Sequence, residues 1–166
     1  MARKGSPRNP TAQHAQAPAP AAQESSLTDI PVRKRTRARE LALQALYQLD
    51  LRGEEVEIDQ FLQDNDEEAA VREFALALVR GCWEHRDQLD EHIRSVALNW
   101  HLSRMATIDR NILRLATYEL LHRPDIPAKV SINEAIDLAK KFSTAESGAF
   151  VNGILDKIRA GHAAAK

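Results

Sequence analysis

From Pro31 onward, apolar residues recur at three- and four-residue intervals and no stretch alternates as a strand would, so the chain reads as all-α. A first helix is predicted from about Arg33 to Leu51, stopping at Gly53. Its core stripe is Ala42, Ala45, Leu46 and Leu49; Arg33, Arg37, Gln44 and Gln48 lie opposite, with Tyr47 on the border. A short helix over about Glu57–Gln63 turns Ile58, Phe61 and Leu62 inward. A longer one runs from about Glu67 through Cys82, continuing or kinking near Gly81 into Glu84–Ala97. Met105–Leu121 is apolar on nearly every side, the mark of a central helix, with Arg110, Arg114 and Thr117 as its narrow polar seam. Glu119 falls inside that apolar stripe and needs donors, which the N-terminus of the next helix is expected to supply.

Two further helices carry start signals. Ser131-Ile132-Asn133-Glu134 has the form of a capping box after Pro124 and Pro127, and opens a helix burying Ile132, Ala135, Ile136, Ala139 and Phe142. Ser143-Thr144-Ala145-Glu146 repeats the form before a last helix that buries Val151, Ile154, Leu155 and Ile158. Gly153 in mid-helix costs about 1 kcal/mol relative to Ala, so a close helix contact is expected there. Residues 1–30, rich in Ala, Pro, Gln and Ser, offer little to bury and are expected to be a disordered tail. Residues 31–160 form the helical domain, and 161–166 are expected as a second loose end.

Charge changes the picture. The 166 residues carry a formal net charge of −1, but up to Arg39 eight cations face only Glu24 and Asp29, a surplus of +6 that leaves −7 for the rest. Arg33, Lys34, Arg35, Arg37 and Arg39 crowd the start of the first helix, where cations oppose the macrodipole. Local helix stability does not explain them; a polyanion does, and nucleic acid is the commonest one. Eight acids between Glu54 and Glu68, with no cation among them, make the body behind this arm acidic.

Candidate enzymes find no anchor. His85 and His92, seven apart near Glu84, Asp87 and Glu91, lack the HExxH or cysteine-pair spacing of a metal site and read as exposed polar residues. His101 and His122 stand at helix ends. No glycine falls in a phosphate-loop pattern. Cys82, the only cysteine, lies among Val71, Phe74, Ala75, Leu78 and Val79 at helical spacing and reads as a small buried hydrophobe. A lone cysteine and the lack of a long apolar run or secretion signal lead to the expectation of a soluble protein of a reducing cytoplasm. Two readings stand for Tyr47, a platform for an RNA base or an aromatic sealing the core edge. Phe150, off the centre of its helix stripe beside Glu146, reads by itself as core.

The segments RARELALQALYQLD, IDRNILRLATYELL and above all VSINEAIDLAKKFSTAESGAFVNGILDKI resemble the NusB family of bacterial transcription antitermination factors, over about Arg33 to Ile158. The resemblance implies an all-α fold of two small helical bundles packed across each other, about seven helices. It implies binding of boxA-type RNA in nascent ribosomal RNA transcripts, together with a small-subunit ribosomal protein that acts as Nus factor E. Other Nus factors and RNA polymerase follow indirectly, and no catalysis, cofactor or metal is implied. Residue by residue, it places RNA contacts on Arg33, Lys34, Arg35, Arg37 and Arg39, on Tyr47, on Asp109, Arg110 and Arg114, and on Glu146 and Phe150. Ser147-Gly148-Ala149 departs from the family by lacking a cation sometimes found before FVNG. The same module also occurs ahead of RNA methyltransferase domains; the free-standing form is expected here. The alternative to RNA binding is a helical protein–protein adaptor, and a hydrolase using Glu119 or the histidines is a remote third. Apolar surface awaiting the ribosomal partner leaves both a monomer and a homodimer open as the free state.

Overall fold

The computed structural model describes residues 30–53, 56–65 and 67–165. The tail expected over 1–30 lies outside these except for Ile30, which is buried in the core. Seven α-helices stand among the described residues, with no strand: α1 Val32–Arg52, α2 Ile58–Asp64, α3 Ala69–Glu84, α4 Arg86–Val96, α5 Thr107–His122, α6 Ala128–Phe142 and α7 Ser147–Ala164. A 3-10 turn, Leu102–Arg104, precedes α5.

α1 packs along α3 with α2 beside them, while α4, α6 and α7 form a second group. α5 touches both groups, as expected of a helix whose Ile112, Leu113, Leu115, Ala116 and Thr117 are all buried. The four stripe residues of α1 are buried, joined by Ala38, Leu41 and Leu43. α1 stops where expected, at Gly53, whose φ of 72° lies in the left-handed region that glycine adopts without strain.

Several local expectations are corrected. The break between α3 and α4 falls at His85, not Gly81. Gly81 is instead the close approach: a Cβ there would lie 2.1 Å from the Tyr118 hydroxyl oxygen. Gly153, where tight packing was expected, has nothing within 4 Å of an added Cβ. Ser131 does not cap α6, which already starts at Ala128 after Pro127, so its hydroxyl is free to serve the core. The second capping box does not form either: α7 starts at Ser147 with Glu146 at its N-cap and no side-chain cap bond, and the Ser143, Thr144 and Ser147 hydroxyls cluster there instead, with the Thr144 amide donating to Ser147 Oγ at 3.4 Å. α7 continues through Ala164, beyond the expected domain end at residue 160.

Candidate nucleic-acid interface

The cationic arm forms the first two turns of α1, with no acid in its opening turn to offset it. Arg33 is exposed. Lys34 pairs with Glu68, and Arg37 with Glu67 and, at 3.1 Å, with Glu40 Oε2. The Glu67 hydrogen bond is the chief reason that the Arg37 guanidinium holds its proton more tightly than usual. Arg35 Nε donates to the Ile30 carbonyl at 2.8 Å. The acidic stretch therefore folds back onto the arm through Glu67 and Glu68.

Arg39 does not belong to that surface. It is 1% exposed, and its Nη2 stands 2.7 Å from Glu119 Oε1, with Nε 3.1 Å from both carboxylate oxygens. The physical reason is helical phase: Arg39 leads the stripe that continues through Ala42, Leu46 and Leu49. Glu119 takes its donors from this guanidinium and from the Ser131 hydroxyl at 3.1 Å, rather than from the backbone amides of a helix end.

Arg114 is likewise withdrawn, at 6% exposure. Its Nε and Nη2 donate to the two oxygens of Asp90 at 2.7 and 2.9 Å, and its Nη1 donates to Asp50 at 3.1 Å. Arg110 Nε and Asn111 Nδ2 each donate to Asp50 Oδ2 at 2.9 Å. Burial alone would raise the Asp50 carboxyl, but hydrogen bonds from Arg110 and Asn111 and the charges of Arg114 and Arg110 outweigh it and hold it below the ordinary range. Arg114, placed on the RNA by resemblance, thus ties α1 and α4 to α5, and half-buried Arg110 shares that knot.

These two knots also fix geometry. Arg39 near the start of α1 meets Glu119 near the end of α5, while Asp50 at the end of α1 meets Arg110 at the start of α5. The two helices are antiparallel, so the arm lies at one end of the pair and Asp109 at the other. At 1.5 Å per residue the ends stand roughly 20 Å apart. Tyr47, half-buried, sits on α1 towards the Asp109 end.

At that end the structure gathers Asp109, Glu146 and Phe150 around a cavity of about 250 Å³. Asp109 Oδ2 accepts the Ser147 hydroxyl at 3.1 Å. Two residues that the pattern of helices did not single out complete the walls. Trp100 is 59% exposed and meets the Phe150 ring edge-on, with centroids 5.2 Å apart, and Arg104 stands beside it. Their signal was available: an aromatic and a cation in a loop, away from any apolar stripe.

Elsewhere the chemistry is quiet. Cys82 is buried and its thiol is pushed far above the usual range by desolvation, which leaves it unreactive. His85 Nδ1 bonds the Gly81 carbonyl at 2.8 Å, and among the described residues no group of three or more His, Cys, Asp and Glu could hold a metal ion. No helix among them is long and apolar enough to cross a membrane.

The NusB family model matches residues 36–160. The transcription antitermination protein NusB of Anaeromyxobacter sp. (strain Fw109-5) is 54% identical over 131 residues, covering 77% of this chain and 91% of that protein. The NusB of Desulfitobacterium hafniense (strain DSM 10664 / DCB-2) is 47% identical over 125 residues, 73% of this chain and 84% of its own. Among solved structures, T. maritima NusB superposes with a TM-score of 0.69 at 41% identity, covering 76% of this chain and 90% of that one. A complex of the antitermination factors NusB and NusE with double-stranded RNA superposes with a TM-score of 0.71 at 29% identity, covering 79% and 99%. With a family match across most of its length and relatives near half identical over nearly all of theirs, this chain belongs to the NusB family.

Proposed function

We infer that this chain is a non-enzymatic, cytoplasmic transcription antitermination factor. It binds boxA-type RNA in nascent ribosomal RNA transcripts together with a small-subunit ribosomal protein acting as Nus factor E. That pair then joins other Nus factors on RNA polymerase and helps it read through terminators. The observation that carries the RNA half is the state of the arm: Arg33 is exposed, and Lys34 and Arg37 are held by carboxylates that phosphates can replace. The related NusB–NusE complex with double-stranded RNA supports the choice of partners.

On this reading the transcript enters at the arm, passes Tyr47 and ends near Phe150. The arm supplies affinity without sequence choice, while aromatic faces receive unstacked bases. Binding RNA and the ribosomal protein on one scaffold raises the effective concentration of each for the other. A titration of labelled boxA RNA across salt concentrations tests it. The expected slope is steep, and changing Arg33 and Arg35 to Ala lowers it by about 0.7 for each phosphate that then goes unneutralised. Binding that ignores salt, or ignores both substitutions, overturns the assignment.

A further inference from the structure

The end of α5 nearest the arm carries a group of imidazoles that lies off the path from the arm to Phe150. The His85 and His122 rings stand 4.2 Å apart, centroid to centroid, and Tyr118 stacks on His122 at 5.3 Å. His122 follows Glu119, the partner of Arg39, within one helical turn, so this group sits at the arm's end of the molecule. The loop beyond it is within electrostatic reach of the arm: Asp125, held low first by Arg123, also feels the charge of Arg35. His85 and His122 are both half-buried, so each ring keeps an edge open to solvent.

One nitrogen of each ring is already committed. His85 Nδ1 donates to the Gly81 carbonyl at 2.8 Å, and His122 Nε2 donates to Gln88 Oε1 at 2.8 Å. A carbonyl oxygen only accepts, so these nitrogens carry the protons of the neutral rings. His85 Nε2 and His122 Nδ1 are left without a hydrogen-bond partner among the described residues. Two such nitrogens without a third ligand make a poor metal site. Protonated, they become two charged donors on neighbouring rings, which suits two oxygens of one phosphate. The surroundings favour an anion as well. Burial is the first reason that His122 gives up its proton readily, and the charges of His85, of His92 on α4 and of His162 on α7 add to it. Near Tyr118 the charged groups are Arg123, Glu84 and Asp125, of which Arg123 and Asp125 are paired at 2.8 and 2.9 Å. Arg86 lies over the Trp83 ring, 4.0 Å from its centre. The imidazoles repel one another's charge, and a bound anion lets them ionise together.

We propose that His85 and His122 form a phosphate-binding pair that takes the backbone of bound RNA where the strand continues past the arm, away from Phe150. This rests on the RNA-binding reading above and adds to it a second backbone contact that depends on pH. A phosphate between the rings favours their charged forms, so binding takes up protons, and affinity grows as the solution is acidified through the range in which histidine titrates. The arm holds its charge at every such pH; the pair gains its own only with the strand in place.

The test is a titration of the full-length protein with labelled boxA RNA that carries flanking nucleotides on both sides, at about pH 7.5 and about pH 5.5. Affinity is expected to rise by about tenfold at the lower pH, the gain from one proton taken up over one pKa unit. H85Q with H122Q, whose amides stay polar but carry no charge, is expected to lose that rise and to keep the arm's salt slope. H101Q, altered next to Trp100, is expected to keep the rise. Histidine ring NMR of the unaltered protein gives an independent measurement: His85 and His122 are expected to titrate at higher pH with RNA than without it. Inorganic phosphate alone, at the same total phosphate concentration, is expected to leave both rings unmoved. A rise that survives H85Q with H122Q, or ring signals that ignore RNA, overturns the pair while sparing the arm. Ring signals that respond as strongly to inorganic phosphate overturn the strand contact. A protein that binds no RNA at either pH removes both readings together.

Discussion

Arg39 and Glu119, eighty positions apart, meet in a buried fork, with guanidinium nitrogens 2.7 and 3.1 Å from the carboxylate and both side chains 2% exposed. Removing one member leaves the other charged and dry, a state that costs about 3–5 kcal/mol. Glu119→Ala is therefore expected to lower the urea midpoint sharply, by an amount near that figure. The paired replacement R39M with E119L should recover most of that stability, because apolar side chains of similar bulk need no partner. The same double variant should leave the salt slope of RNA binding unaltered, since Arg39 is buried beneath the surface of the arm. A slope lower by one phosphate's worth would return Arg39 to the interface.

Asp50 gives a pH signature. Its folded pKa lies below the ordinary carboxylate value near 3.9, so the unfolded chain takes up the proton first as the solution is acidified. The stability it confers is full above about pH 4 and is lost as pH falls through the lower, folded value. Denaturation curves between pH 6 and 3 should thus fall more steeply for the native protein than for Asp50→Asn. The variant should also be less stable at neutral pH by about 1–3 kcal/mol, because Arg110 and Arg114 lose a charged acceptor. Parallel curves for the two proteins would show that Asp50 is not held low.

How far the sequence carries this picture differs between periodicity and pairing. Helix positions, the burial of α5 and the end of α1 at Gly53 follow from spacing and one glycine, because both are local. Arg39 and Glu119 are each visible as misfits, one a cation on an apolar stripe and one an acid on another. What joins them is a contact across eighty residues, which no period encodes. Ser131 misleads for a related reason: the same hydroxyl that fits a capping box also fits a buried carboxylate, and Pro127 has already started the helix. Lys34 and Arg37 look free in the sequence because their partners, Glu68 and Glu67, sit thirty and more residues on. Trp100 stands in a loop outside every apolar stripe, so helical periodicity does not single it out, although its residue type and place do.

The glycines separate cleanly. At Gly81 an added methyl would collide with the Tyr118 ring, 2.1 Å from its oxygen and 2.2 Å from Cζ. Tyr118 also stacks on His122 at 5.3 Å, so displacing it disturbs a second contact. G81A is expected to destabilise by about 1–3 kcal/mol, with partial rescue by Y118L. Gly153 is helical and open, so G153A should stabilise by about 0.5–1 kcal/mol. Thermal melts of the two single variants decide it; shifts in the same direction would contradict the packing described.

Glu67 and Glu68 occupy the places on Arg37 and Lys34 that phosphates would take. Bound RNA must displace them, so part of the electrostatic gain only replaces pairs already formed. E67Q with E68Q leaves Lys34 to ordinary counterions, which are then released when RNA arrives, and leaves Arg37 held by Glu40 alone. Pairs of this kind, exposed or half-buried, are worth about 0–1 kcal/mol each, so affinity at low salt should rise by up to about thirtyfold. The slope of log affinity against log salt should steepen, by up to about 0.7 for each freed cation, and the advantage should fade as salt increases. Filter-binding titrations at several salt concentrations measure both. Equal slopes with equal affinities would mean that the acids let go of the arm before RNA reaches it.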